Sequence, residues 1–253
     1  MCGRFTLTQP AYIAAKFGLD NFAPVEPEFY EPRFNVAPTQ RIVVIPTIDG
    51  QREARRMRWG LIPSWAKDLR IGASCINARA DSVVSKPAFR AAFKSRRCLI
   101  PADGFYEWQS GPQGKQPYRI TLADGSMFAF AGLWERWRNP ATDESIESCC
   151  IVTCDTNELT AKFHDRMPVI IAAEDYDTWL TGTPEEALTL LRPFPVEEMR
   201  AYRVSSRVNS ANTPRPTPSG CVVMFSRLRL VAMVCRCVMR WSSRSEKKAR
   251  SAG

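Results

Sequence analysis

The stretch Arg41-Ile42-Val43-Val44-Ile45-Pro46-Thr47-Ile48, followed by Asp49-Gly50 and then by Glu53-Ala54-Arg55-Arg56-Met57-Arg58-Trp59, decides the fold class of this chain. Two runs rich in β-branched and apolar residues flank an Asp-Gly pair, the dipeptide that best accepts the positive φ angles of a tight hairpin turn. Working outward, further strands are expected at 97–108, 117–122, 127–134 and 146–154, with a Gly/Pro/Gln-rich turn at 110–116. A short helix opens at Thr8-Gln9-Pro10 and ends at Gly18, and helices fit 87–94, 157–163, 174–181 and 184–192. Neighbouring antiparallel strands with helices inserted between them predict an α+β domain rather than an alternating βαβ fold.

No repeat or linker divides residues 1–210, which read as one domain. Residues 211–253 pass through NTPRPTPSG into a mixture of Cys, Met, Val and Arg, and are expected to be a poorly ordered basic appendage. The net charge of +9 is concentrated there, because eight basic residues and one acid follow Cys221 and leave the body at only +2. A basic whole-chain balance is therefore weak evidence for a nucleic-acid surface, and the argument must rest on where the body's arginines lie. The amino-terminal region has no apolar run before Pro10, and no apolar stretch approaches the ~18 residues of a spanning helix, so a cytoplasmic protein without membrane partners is expected. Nine cysteines lack paired C-x-x-C spacing and stand beside a single histidine, which supports neither a disulfide framework nor a metal site. No cofactor is expected, and no heptad argues against a monomer.

Cys2 carries the chemistry. Methionine is generally trimmed when the next residue is small, so the expected mature chain begins with Cys2 and offers an α-amine and a thiol on one residue. An aldehyde condenses with that amine to an imine, and the thiol closes on the imine carbon as a five-membered thiazolidine. The amine titrates at about 7.7–8.0 and the thiol at about 8.5, so modest help from neighbours supplies the reactive forms.

Four segments place unusual polar groups in apolar or tight-loop contexts: Cys2 in MCGRF, Asn77 in INARAD, Glu107 in ADGFYEW and His164 in HDRMP. With FNVAP at 34–38 and WGLIPSW at 59–65, the set resembles the SOS-response-associated peptidase (SRAP) family over about residues 2–210. The resemblance implies a barrel-like β core with peripheral helices. It also implies recognition of single-stranded DNA carrying an abasic site, covalent thiazolidine capture of the ring-opened sugar aldehyde, and a place in the DNA-damage response with nucleoid association on damaged DNA. The peptidase label refers to removal of the residue ahead of the cysteine and to a proposed proteolytic role; a lyase activity is associated with the same chemistry.

By that resemblance Cys2 is the nucleophile, Glu107 the general acid/base in its apolar setting, His164 the proton relay and Asn77 the group that positions the amine or a sugar hydroxyl. Asparagine ahead of Ala-Arg-Ala-Asp ordinarily marks a turn. Arg4, Arg79 and Arg166 stand within two residues of these groups as candidate phosphate clamps, with Lys86 and Arg90 as outer contacts. Trp59 and Trp65 are candidate stacking surfaces for the base beside the lesion, against the alternative of two core tryptophans. Two other readings stay open: a cysteine peptidase using Cys2 and His164 as a thiolate pair, and a non-catalytic single-strand binding module.

Overall fold

A computed structural model describes residues 2–19, 27–112 and 114–210. They lie within one compact unit, Met1–Pro216. The appendage expected at 211–253 lies outside the described residues. In chain order the strands are β1 (Phe5–Leu7), β2 (Arg33–Val36), β3 (Arg41–Ile48), β4 (Gln51–Arg52), β5 (Arg55–Trp59), β6 (Asn77–Arg79) and β7 (Arg97–Ala102). They continue with β8 (Gly104–Gly111), β9 (Gly114–Leu122), β10 (Phe128–Arg138), β11 (Ser145–Asp155), β12 (Arg166–Pro168), β13 (Ile170–Ile171) and β14 (Met199–Arg203). Among the described residues four short α-helices accompany them: α1 (Ile13–Phe17), α2 (Arg90–Ser95), α3 (Tyr176–Thr181) and α4 (Pro184–Thr189). Among the described residues no helix is long and apolar enough to cross a membrane.

The hairpin read first in the sequence is present and sits in the wall of a barrel. Asp49 and Gly50 take φ angles of 49° and 81°, and Ile48 pairs with Gln51 across them. One register then runs through Val44↔Arg55 to Arg41↔Arg58. The ladder is interrupted opposite Pro46, which accepts a hydrogen bond from Glu53 N (3.1 Å) but has no N–H to return. β3 pairs on its other side with β7, β7 with β10 and β10 with β11, all antiparallel, and β11 closes the ring by a parallel pairing to β5 through Ser148↔Arg58 and Cys149↔Trp59. The result is a closed five-stranded barrel, the α+β, mainly antiparallel, barrel-like core expected.

A second sheet of order β14-β9-β8-β1-β2 lies beside it. The strand expected over 97–108 is two strands, broken at Asp103, where the chain leaves the barrel for this sheet. Phe5 from β1, Phe105 from β8, and Trp59 and Phe130 from the barrel meet edge to face, with Phe5 5.3 Å from Trp59 and Phe105 6.0 Å from Phe130 between ring centroids.

The helices are shorter than their apolar stripes predict. α1 ends where Gly18 adopts a left-handed φ of 62°. Residues 157–163 form only a 3-10 turn at Thr160–Lys162. α4 is fixed at its start by a capping box in which Thr183 Oγ1 accepts from Glu186 N (3.2 Å) and Glu186 Oε2 accepts from Thr183 N (2.7 Å).

Candidate active site

Pairing of β1 with β8 brings the amino-terminal residues to Glu107. Phe5 faces Phe105, Tyr106 N donates to Arg4 O (2.9 Å), and continuing that register sets residues 2 and 3 beside Glu107. Asn77 arrives from another direction. After Trp59 the chain makes an excursion through residues 60–76 and returns to β11 as β6, with Asn77 opposite Ile151. The neck of the excursion is closed by glycines: a Cβ on Gly60, whose φ is +127°, would lie 2.6 Å from Gly72 O. Asn77 Nδ2 then donates to Cys2 O at 3.0 Å. Asn77 is therefore a strand residue, not the turn residue its local sequence favours.

Cys2 is fully buried. Burial, and then the negative charge of Glu107, push its thiol pKa well above the ordinary range. Glu107 is 5% exposed, and burial raises its carboxyl pKa. Asn77 is buried as well, and its Oδ1 has no hydrogen-bond partner among the described residues. A buried acceptor left open is costly unless a donor arrives, so Asn77 Oδ1 is an open hydrogen-bonding position next to the Cys2 segment.

His164 follows the 3-10 turn at 160–162 and keeps about a third of its side chain exposed (35%). Its Nδ1 lies 2.5 Å from Asp165 Oδ1 and 3.2 Å from Arg166 N. The carboxylate contact needs a proton on Nδ1 and the backbone contact needs a lone pair, so the two belong to different protonation states. Burial is the largest influence on the ring and lowers its pKa, with Asp165 opposing.

The arginines divide. Arg79 is exposed and paired with Asp81 at 2.7 Å. Lys86, on the segment that leads into α2, and Arg90, its first residue, are exposed. Arg166 corrects the expectation of a surface clamp: its side chain is only 7% exposed, donates to Thr153 O at 2.7 Å and reaches Asp81 at 3.3 Å. Because Asp81 also holds Arg79, Arg166 ties the His164 segment to the Asn77 strand. Arg4 donates to Asn35 Oδ1 (3.0 Å), Val208 O (2.9 Å) and Asn209 O (3.3 Å).

The tryptophans divide too. Trp59 is fully buried with its Nε1 on Ile76 O (2.9 Å), so it is a core residue and offers no ring face to a base, a second correction. Trp65 is 58% exposed at an open groove of about 410 Å³ lined also by Lys67, Asp68, Arg70 and Ile71.

Sequence reasoning missed the residues that hold this arrangement. Asn35 donates to Val208 O (3.1 Å) and Ser210 O (2.9 Å), and Trp108 Nε1 donates to Asn209 Oδ1 (2.8 Å), which binds the segment after β14 to the strands around Cys2. Asp103 anchors β1 by accepting from Thr6 Oγ1 (2.6 Å), Thr8 Oγ1 (2.7 Å) and Arg119 (2.8 Å). The signal available was an asparagine inside an otherwise apolar FNVAP and an aspartate directly before the apolar run of β8. Among the described residues no three His, Cys, Asp or Glu side chains converge as a metal site.

Comparisons with known proteins place the fold in a family. The family profile described as SOS response associated peptidase (SRAP) matches residues 1–211. The abasic site processing protein YoqW of Bacillus subtilis is 45% identical over 221 residues, covering 85% of this chain and 97% of that protein. The abasic site processing protein HMCES of Xenopus tropicalis is 28% identical over 240 residues, covering 82% of this chain and 71% of that protein. A crystal structure of a protein from Bacteroides thetaiotaomicron superposes with a TM-score of 0.76 at 30% identity, covering 84% of this chain and 97% of that one. The sequence blocks, the barrel and these relatives lead to one assignment: the chain belongs to the SOS response associated peptidase family.

Proposed function

We propose that this protein captures abasic sites in single-stranded DNA as a covalent thiazolidine on Cys2. The observation that carries the reading is the convergence of the buried residues Cys2, Asn77 and Glu107, with Asn77 Nδ2 3.0 Å from Cys2 O, Glu107 close enough to act on the Cys2 thiol, and an open acceptor on Asn77 Oδ1. Hydrolysis of the Met1–Cys2 peptide bond frees the α-amine. The amine adds to C1′ of the ring-opened sugar and the carbinolamine loses water to give an imine. The thiol then adds across the C=N bond, forming the C–S bond and delivering its proton to nitrogen. The hydrolysis takes up one water, the capture that follows releases one, and no oxidant is needed.

Each residue has a step suited to its environment. Asn77 holds the Cys2 carbonyl and presents Oδ1 to the amine or a sugar hydroxyl. Glu107, whose carboxyl pKa is raised by burial, gives a proton to the departing hydroxyl and recovers it afterwards. His164, whose pKa lies below the ordinary value, is a neutral base at physiological pH and relays protons between the pocket and solvent. Arg79, Lys86 and Arg90 face solvent as phosphate contacts, and Trp65 is the stacking surface.

The same observations weigh against a peptidase working through a Cys2–His164 thiolate pair. Such a pair needs a depressed thiol pKa and an imidazolium, whereas the thiol is pushed up and the imidazole down. The amine-first route needs neither.

The test is intact mass and denaturing-gel analysis after incubation with an abasic single-stranded oligonucleotide, beside an undamaged oligonucleotide. A heat-stable, lesion-dependent adduct on a chain lacking Met1 is expected, lost in Cys2→Ala and slowed about 10²–10⁴-fold in Glu107→Gln. No adduct from a chain that has lost Met1, or an adduct surviving in Cys2→Ala, overturns the reading.

A further inference from the structure

Half of the arginines of the described residues have a carboxylate within 4.0 Å, and Arg52, Arg55, Arg79, Arg96, Arg119 and Arg136 each have one at 2.8 Å or less. Arg33, Arg41 and Arg58 are among the half that do not. Their guanidinium groups are held by uncharged acceptors instead. Arg33 donates to Arg41 O (2.6 Å) and to Gln40 Oε1, Arg41 to Arg56 O (2.9 Å), and Arg58 to Thr39 O (3.0 Å). A carbonyl fixes the fork without cancelling its charge.

The three form a continuous band with the site. Arg4, two residues from the nucleophile, bonds Asn35; Arg33 lies two residues from Asn35 on β2; Arg33 bonds the Arg41 carbonyl; and Arg41 pairs directly with Arg58 across the β3–β5 ladder. Between them runs the loop 37–40, where Thr39 takes a φ of 72° and Gln40 Oε1 accepts from Ala37 N (3.2 Å). Arg41 is exposed, and Arg33 and Arg58 are half-buried. Arg58 Nε is a buried donor with no acceptor among the described residues. Burial and then the charge of Arg56 lower the pKa of Arg33, with Glu31 acting against them. Glu28, 3.8 Å from Arg56, is another acid on this flank. Among the described residues, these three guanidinium groups are preorganised and have no carboxylate within ion-pair distance.

We propose that Arg33, Arg41 and Arg58 form a second phosphate-binding band, which takes the DNA strand on one flank of the lesion after it passes Arg4. The inference rests on the reading of the site as one for single-stranded DNA, and it adds a surface distinct from Arg79, Lys86, Arg90 and Trp65. Three fixed guanidinium groups suit consecutive phosphodiesters, since phosphate contacts position a strand without reading its sequence.

The experiment measures binding of undamaged and abasic single strands as a function of salt, for the wild-type chain, the triple variant Arg33→Gln/Arg41→Gln/Arg58→Gln and the corresponding triple lysine variant. Each phosphate contact contributes about 0.7 to the slope of log K against log salt for single strands, so the glutamine variant is expected to lose roughly 2 from that slope. The lysine variant is expected to keep it. Strands extended on only the 5′ or only the 3′ side of the lesion are compared, and the glutamine variant is expected to lose the affinity gained from one extension while keeping the other. An unchanged slope, or an equal loss for both extensions, overturns the band. If the triple variant does not fold, the exposed Arg41→Gln alone decides, with an expected loss of about 0.7. Failure of the wild-type chain to form the covalent adduct rejects the capture chemistry, and the salt slope on undamaged strands still judges the band.

Discussion

In the barrel, residues Phe128 to Trp134 of β10 and Cys149 to Val152 of β11 are buried one after another, and long ladders pair them. In the sheet that carries Cys2, by contrast, β1 contributes three residues and is tied down by a carboxylate: Asp103, 2% exposed, gathers Thr6, Thr8 and Arg119, and Arg119 reaches on to Tyr202 of β14 (2.7 Å). Apolar packing is diffuse, so many contacts share the load. A buried polar knot is concentrated, and removing one partner strands all the others. Cys2 thus follows from a three-residue strand that is fixed by a few specific polar contacts.

The largest expected effect is at that knot. Asp103→Ala leaves Arg119 without its carboxylate and should cost about 3–5 kcal/mol in urea denaturation, with adduct formation slowed even in the folded fraction because β1 loses its anchor. A smaller effect is expected in the barrel wall from Gly132→Ala, whose new Cβ would meet Cys98 Sγ at 2.8 Å and Ile100 Cδ1 at 2.9 Å. Overpacking of that kind costs about 1–3 kcal/mol, and adduct formation by the folded fraction should be unchanged. If the glycine variant proves the more costly of the two, or the one that slows capture, the contrast between the regions is wrong.

The third expectation is subtler and concerns pH. The folded-state pKa of Glu107 is raised above its unfolded value of about 4.3, so between those two values the folded chain holds a proton that the unfolded chain has released. The stability tied to that proton is complete below about 4.3 and is lost as pH rises through the folded pKa. Glu107→Gln should therefore gain stability relative to wild type as pH rises across this window and level off above it. Parallel melting curves at every pH would show that Glu107 is not held protonated by the fold.

The same contrast explains what the sequence disclosed. β3, its Asp49-Gly50 turn and most of β9, β10 and β11 were legible because their patterns are local and continuous. β1, β6, β12 and β13 were not, for they have two or three residues each and exist through partners far along the chain, as Phe5 does through Phe105. Cys2, Asn77, Glu107 and His164 were legible as blocks by resemblance to a family, while their geometry was not. Trp59 and Arg166 were read as surface groups because nothing in a single sequence tells a buried tryptophan or a paired arginine from an exposed one. Asp103 was passed over because it fell inside the strand expected over 97–108, and a single sequence does not show that it gathers partners from β1 and β9.

Arg4 receives its acceptors from Val208 and Asn209, near the other end of the domain. On a ribosome adding about 5–20 residues each second, those acceptors emerge roughly 10–40 s after Arg4 itself. Through that interval Arg4 has neither acceptor, so the contacts that fasten it to the segment beyond β14 are among the last the domain can form, although Arg4 is among the first residues made.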